Sequence, residues 1–157
     1  MHRIVHHTTH IRRRYDDICA MLDDDAAAIL AEATEAARTF AGRIISELDG
    51  DLGFYDDREP LIVASEALER RSSSASMNVR WHGDKQKRLL PNVHARIEIT
   101  PILSDGPESV SELVLHGEYR PPDESRGAGE FFLERRLVDA KSVTFLNHLA
   151  HEIEERI

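Results

Sequence analysis

Over the last thirty or so residues, apolar side chains recur at three- and four-residue steps. Val143, Leu146, Leu149, Ala150, Ile153 and Ile157 form the stripe, with Val138 and Phe145 widening it. That spacing predicts a helix over 129–157 with one face apolar enough to cover a sheet. Lys141, Asn147, His148, Glu152, Glu155 and Arg156 fall on the other face, which suits water. The segments before it have period two. Ala75, Met77, Val79 and Trp81 alternate with Ser76, Asn78, Arg80 and His82, and the pattern repeats over 92–103 and 109–119. Strict alternation in successive segments predicts antiparallel strands with one face to a core and one to water. No second stripe lies close in sequence, so the strands are expected to close around the last helix.

The first sixty residues are more varied. His2 to Arg13 alternates without a cleanly apolar face, placing Val5, His7, Thr9 and Ile11 on one side and Ile4, His6, Thr8 and His10 on the other. It reads as a strand. Tyr15, Ile18, Cys19 and Leu22 then predict a short helix over 14–22. Asp23, Asp24 and Asp25 are expected to cap a second, alanine-rich helix over 26–48, with negative charge at its positive end. Its stripe is Ile29, Ala33, Ala37, Phe40, Ile44 and Leu48, and Asp49-Gly50 is the expected stop. Residues 51–60 read as loop, 61–68 as strand, and 69–74 as a polar connection. The fold class is α+β, and 157 residues fit one domain spanning 1–157.

Charge narrows the function. The formal net charge is -9, yet residues 1–15 carry Arg3, Arg12, Arg13 and Arg14 and no acid, which leaves -13 on the rest. A body that acidic speaks against nucleic acid as a partner, because such binding needs a clustered basic face. No window approaches the roughly 18 apolar residues of a membrane span. The basic tip has no apolar centre of the kind a signal peptide carries. A single cysteine, Cys19, leaves no partner for an intramolecular disulfide, and a cytoplasmic location is expected. Set among Ile18, Met21 and Leu22, it reads as a small buried apolar residue.

Several local words then carry a resemblance. They are Trp81 closing a strand, Leu90-Pro91 before the next, Ile97-Glu98 with Pro101, and Gly117-Glu118-Tyr119-Arg120-Pro121-Pro122 ahead of the Gly127 turn and the closing helix. Together they resemble small bacterial members of the START/Bet v 1-like (SRPBCC) superfamily. The likeness is strong over 77–157 and extends to the first sixty residues in arrangement only. Asp123-Glu124-Ser125-Arg126 stands where those proteins usually have glycine and a short apolar link. The resemblance implies a helix-grip fold, a curved antiparallel sheet wrapped around a long C-terminal helix with two further helices after the first strand. It also implies an apolar cavity between sheet and helix, and it brings no catalytic motif.

If the apolar faces turn inward, the cavity wall holds Met77, Val79, Trp81, Ala95, Ile97, Ile99, Leu113, Leu115 and Tyr119, with Leu146 and Ala150 from the helix. Gly117 leaves a gap in this wall, expected to be room for a ligand rather than a bend. The Trp81 indole and the Tyr119 hydroxyl are the polar groups that three such strands offer. General acid–base chemistry needs a titratable group in reach of substrate, here Tyr119, or His7 if Val5 and Ile11 turn inward. The expectation is therefore binding of a small hydrophobic or amphipathic molecule without cofactor or metal. A polyketide cyclase or aromatase type of enzyme using the same cavity is the first alternative. A protein–protein interaction module, including a homodimer, is the second. His6 and His10 lie about 13 Å apart along a strand, too far to share an ion. His148 and His151 have no third ligand at fixed spacing, and Gly127-Ala128-Gly129 reads as a hinge.

Overall fold

In the computed structural model the described residues are 3–47, 61–83, 93–103, 109–119 and 128–157. The elements are β1 (Arg3–Ile11), α1 (Tyr15–Glu47), β2 (Leu61–Ser65), β3 (Glu69–Arg70), β4 (Ala75–Gly83), β5 (Val93–Leu103), β6 (Val110–Tyr119) and α2 (Ala128–Arg156). All pairings are antiparallel, in the order β1-β6-β5-β4-β2, with the two-residue β3 pairing β4 next to β2. The expected meander is present, and β1 joins it on the free side of β6. The result is an α+β helix-grip architecture: a curved antiparallel sheet with the C-terminal helix packed on one face.

Register explains how each strand earns its place. Met77 faces Ile97 and Leu115 faces Ile97 from the other side, while Ala75, Ile99 and Leu113 line up in the next row. All six are buried. A fully buried Ile or Leu contributes about 1.5–3 kcal/mol, and a one-residue slip would turn every one of them to water. Pro101 is tolerated in a central strand because β4 stops at Ala75, opposite Ile99. Beyond that point β5 is paired only with β6, and the register shifts between Pro101 and Leu103.

The two helices expected between β1 and β2 run as one element, bent at Asp25, whose φ of -127° and ψ of 19° are not helical. The non-helical Asp25 thus separates the two expected helices at the expected place, with Ala26 opening the second. The expected stripe holds at Ile29, Ala33 and Ala37, and Leu30 and Thr34 are buried beside it. Phe40 and Ile44 have no described side chains, and Leu48 and the Asp49-Gly50 stop lie outside the described residues. The helical neighbour of α2 comes from far off in sequence, since α1 and α2 pack side by side on the sheet. Arg156 at the end of α2 reaches Glu32 of α1 at 3.1 Å. Val143 departs from its expected place in the stripe. It is 40% exposed, whereas Val138, Phe145, Leu146, Leu149, Ala150 and Ile153 are buried.

One end of this sandwich is tied shut. The Arg12 amide donates to Glu154 Oε1 at 2.9 Å, the Arg13 guanidinium to the Glu154 carbonyl at 2.6 Å, and Ser111 Oγ to the Arg13 carbonyl at 3.2 Å. Glu69 and Arg70, read as part of a polar connection, pair with Ser76 and Ala75 instead. Residues 71–74 make the turn, closed by the Arg71 amide on the Ser74 carbonyl at 2.7 Å.

Candidate functional site

The register sorts the inner face into rows across the sheet. Trp81, Val93 and Tyr119 form the first, and Val79, Ala95, Gly117 and Val5 the second. Met77, Ile97, Leu115 and His7 form the third, and Ala75, Ile99, Leu113 and Thr9 the fourth. Every wall residue expected from the sequence therefore lies on the face that carries α1 and α2. Leu146 and Ala150 of α2 are buried in the same cluster.

Burial falls off along these rows. Ile99 and Leu113 are fully buried, as are Ile18, Ile29, Leu149 and Ile153 of the helices over that end. Ala95, one row from the far end, retains 8% of its surface, and Trp81, Val93 and Val63 are only partly buried. Packing is thus tightest around Ile99 and Leu113, with partial access at Trp81 and Val93 in the first row and, on the β1 side, at His7 and Thr9.

Gly117 has a different reason from the one expected. A Cβ placed there would meet Ala95 Cβ and the His94 carbonyl oxygen, each at 2.9 Å, and Ala95 Cα at 3.2 Å. The missing side chain is what lets β5 and β6 approach where the sheet coils, so the gap in the wall is already occupied by the neighbouring strand. Trp81 also differs. Its indole N–H donates to Thr34 Oγ1 at 3.0 Å, and Thr34 in turn donates to the Leu30 carbonyl at 2.7 Å. Its ring stands edge-on to Phe145, centroids 4.8 Å apart at 83°. One side chain from the sheet therefore joins both helices, and its N–H is used within the fold.

With Val5 and Ile11 turned inward, His7 comes with them. Its Nε2 is buried and makes no hydrogen bond among the described residues. Asp139 Oδ1 of α2 lies 3.9 Å away, close enough to attract a charge but too far for a hydrogen bond. Burial holds the imidazole below its usual 6.5, with Asp139 pulling the other way and His6 adding slightly to the lowering. His7 thus stands on the inner face near one carboxylate, the half-exposed Asp139 of α2. Cys19 is fully buried, and burial pushes its thiol up. That makes it a poor nucleophile.

The polar face of the sheet holds what the sequence concealed. His6 of β1 and His116 of β6 meet at 3.2 Å between Nδ1 atoms. Cross-strand partners cannot be read from periodicity within one strand. A hollow of about 640 Å³ lies on this face, between the β2 edge and β6, with Arg80, His94, Arg96 and His116 among its walls. The helix histidines each face an acid one turn on, His148 with Glu152 at 3.5 Å and His151 with Glu155 at 3.8 Å. Among the described residues no three potential metal ligands come together, and no helix is long and apolar enough to cross a membrane.

No family model matches this sequence, and no curated protein does so significantly. Among solved structures, an aromatase/cyclase from a Streptomyces species is similar at 14% identity, over 99% of this chain and 96% of that one, with a TM-score of 0.43. A protein from Thermus thermophilus is similar at 11% identity over 98% and 99% of the two chains, TM-score 0.44. A Thalictrum norcoclaurine synthase is similar at 13% identity over 94% and 96%, TM-score 0.36.

Proposed function

We propose that the protein binds a small hydrophobic or amphipathic molecule between the sheet and its two helices, entering at the Trp81–Val93–Tyr119 end. The observation that supports this is where burial is incomplete. Ile97, Ile99, Leu113 and Leu115 are sealed, whereas Trp81 and Val93 keep partial access beside the buried Tyr119. Of the wall expected from the sequence, Val79, Trp81, Ala95 and Tyr119 would then meet the ligand. Met77, Ile97, Ile99, Leu113 and Leu115 would serve as the packed floor beneath it, with Leu146 and Ala150 as its helical side. An apolar wall with few polar groups suits binding better than catalysis.

Trp81 is the chain's one tryptophan, so its fluorescence reports on the proposed mouth. Titration with 1-anilinonaphthalene-8-sulfonate should quench Trp81 by energy transfer, and Ala95→Phe should abolish the effect while leaving the fold intact. A probe that binds without touching Trp81 emission, or no uptake at all, would refute the reading and bring forward the interaction module. The His7–Asp139 pair favours a second reading, a cyclase-type catalyst in the same space. His7→Gln would then remove turnover of a cyclisable substrate and leave affinity for it unchanged.

A further inference from the structure

We infer that the hollow on the opposite, polar face of the sheet is a binding site for a small molecule bearing a phosphate-type dianion. The pairing register sets the groups in two adjacent rows, Arg80–His94–Glu118 and Asn78–Arg96–His116. All six are exposed on the face away from the helices. Val79, Ala95 and Gly117 turn their side-chain positions inward, so they contribute backbone to the floor of the 640 Å³ hollow. A space of that size suits a small organic ligand.

The charges are arranged for an anion at the centre. Arg80 and Arg96 sit diagonally on β4 and β5 with His94 between them and His116 beside Arg96. Among the described residues neither guanidinium has a carboxylate partner: Arg96 donates to Ser76 Oγ at 3.1 Å, and Arg80 makes no such contact. The two acids of the hollow stand at its margins. Glu66, at the β2 end, accepts the Asn78 amide at 3.0 Å, and Glu118 lies on β6 past His94. Guanidinium pairs bind phosphate through two parallel hydrogen bonds each, which gives direction as well as charge. The molecule as a whole is acidic, at -9. Its long-range field repels anions, so any affinity here has to come from these direct contacts rather than from general attraction. The site stands apart from the apolar one and does not depend on it.

The test is isothermal titration of the full chain with inorganic pyrophosphate, with citrate as a second arm to separate phosphate from carboxylate recognition. Saturable 1:1 binding of pyrophosphate, stronger than that of citrate, is expected. Arg80→Gln and Arg96→Gln should each weaken it by about tenfold or more. Arg71→Gln, an exposed arginine outside the hollow, should leave it unchanged. Imidazole proton shifts of His94 and His116 in the wild type give a readout that needs no variant, and both should move on addition of pyrophosphate. Absence of binding at millimolar pyrophosphate, or equal loss in all three variants, overturns the proposal. So does preference for citrate, or a dimer by light scattering that buries this face.

Discussion

Gly117→Ala puts the coiling of the sheet to a quantitative test. The added methyl would sit 2.9 Å from Ala95 Cβ and 2.9 Å from the His94 carbonyl oxygen. Both are anchored to the β5 backbone, so relief requires the strands to move apart, not a side chain to rotate. Overpacking of this kind costs typically ~1–3 kcal/mol. Alanine also removes freedom from the unfolded chain, which offsets about 0.4–1 kcal/mol. The net expectation is a loss of about 1–2 kcal/mol, or roughly 2–8 °C in Tm for a chain of this size. Urea unfolding followed by far-ultraviolet circular dichroism measures it. Adding Ala95→Gly removes one of the two close contacts and leaves the carbonyl, so the double variant should show a coupling of about 0.5 kcal/mol or more in the favourable direction. A Gly117→Ala protein as stable as the wild type, or more so, would refute the argument. It would mean that the glycine guards an empty space, and loss of probe uptake in the same variant would assign that space to a ligand.

Thr34→Val keeps the shape of the threonine but takes the acceptor from the Trp81 indole, and should cost about 1–2 kcal/mol with a shift in tryptophan emission; unchanged emission would mean the bond does not hold the ring. His7 is held below its usual 6.5 by burial, so between its folded value and 6.5 the unfolded chain binds more protons. Stability is therefore full above about pH 6.5 and lost as pH falls below it; urea midpoints compared at about pH 7.5 and about pH 5 should converge in His7→Gln and diverge further in Asp139→Asn. Cys19, buried with a raised thiol, should resist 5,5′-dithiobis(2-nitrobenzoate) in the native protein and react at the rate of unfolding. Rapid labelling under native conditions would contradict its placement.

The legible parts of this fold are those where one face of an element is buried and the other is not. Alternation over 75–82, 92–103 and 109–119 marked the three strands of the meander because a slip there would expose Met77, Ile97 and Leu115 together. The α2 stripe was equally plain, though Val143 shows that a position at the right step can still lie beyond the line of contact. Other features depend on distant parts of the chain. Trp81 was readable as inward, but its bond to Thr34 required knowing that α1 lies over β4. Leu30 and Thr34 sit one step round from the alanine stripe, and the burial of Thr34 comes with the Trp81 indole of a distant strand. Glu69 and Arg70 make a two-residue pairing that polar side chains do not announce. The hollow around Arg80 and Arg96 escaped notice for a related reason. Its residues have the pattern of a solvated face, and their concavity comes from the twist of the sheet.

The pairing of β1 with β6 has a consequence for how the protein is made. Arg3 finds its partner in Tyr119, and Ile11 in Ser111, so the first strand has no place to dock until about a hundred more residues exist. At synthesis rates of about 5–20 residues per second, that is a wait of roughly 5–20 s. During it Val5 and Ile11, later buried, stand exposed on a strand with a free edge. The arginines and histidines of this tip then serve a purpose that the finished fold conceals. They keep a waiting strand in solution and apart from copies of itself, as charge on an edge strand does elsewhere. High sequence separation also makes such closure slow. A nascent chain stalled before residue 110 should accordingly leave β1 open to protease, and release of ten further residues beyond the ribosome should close it.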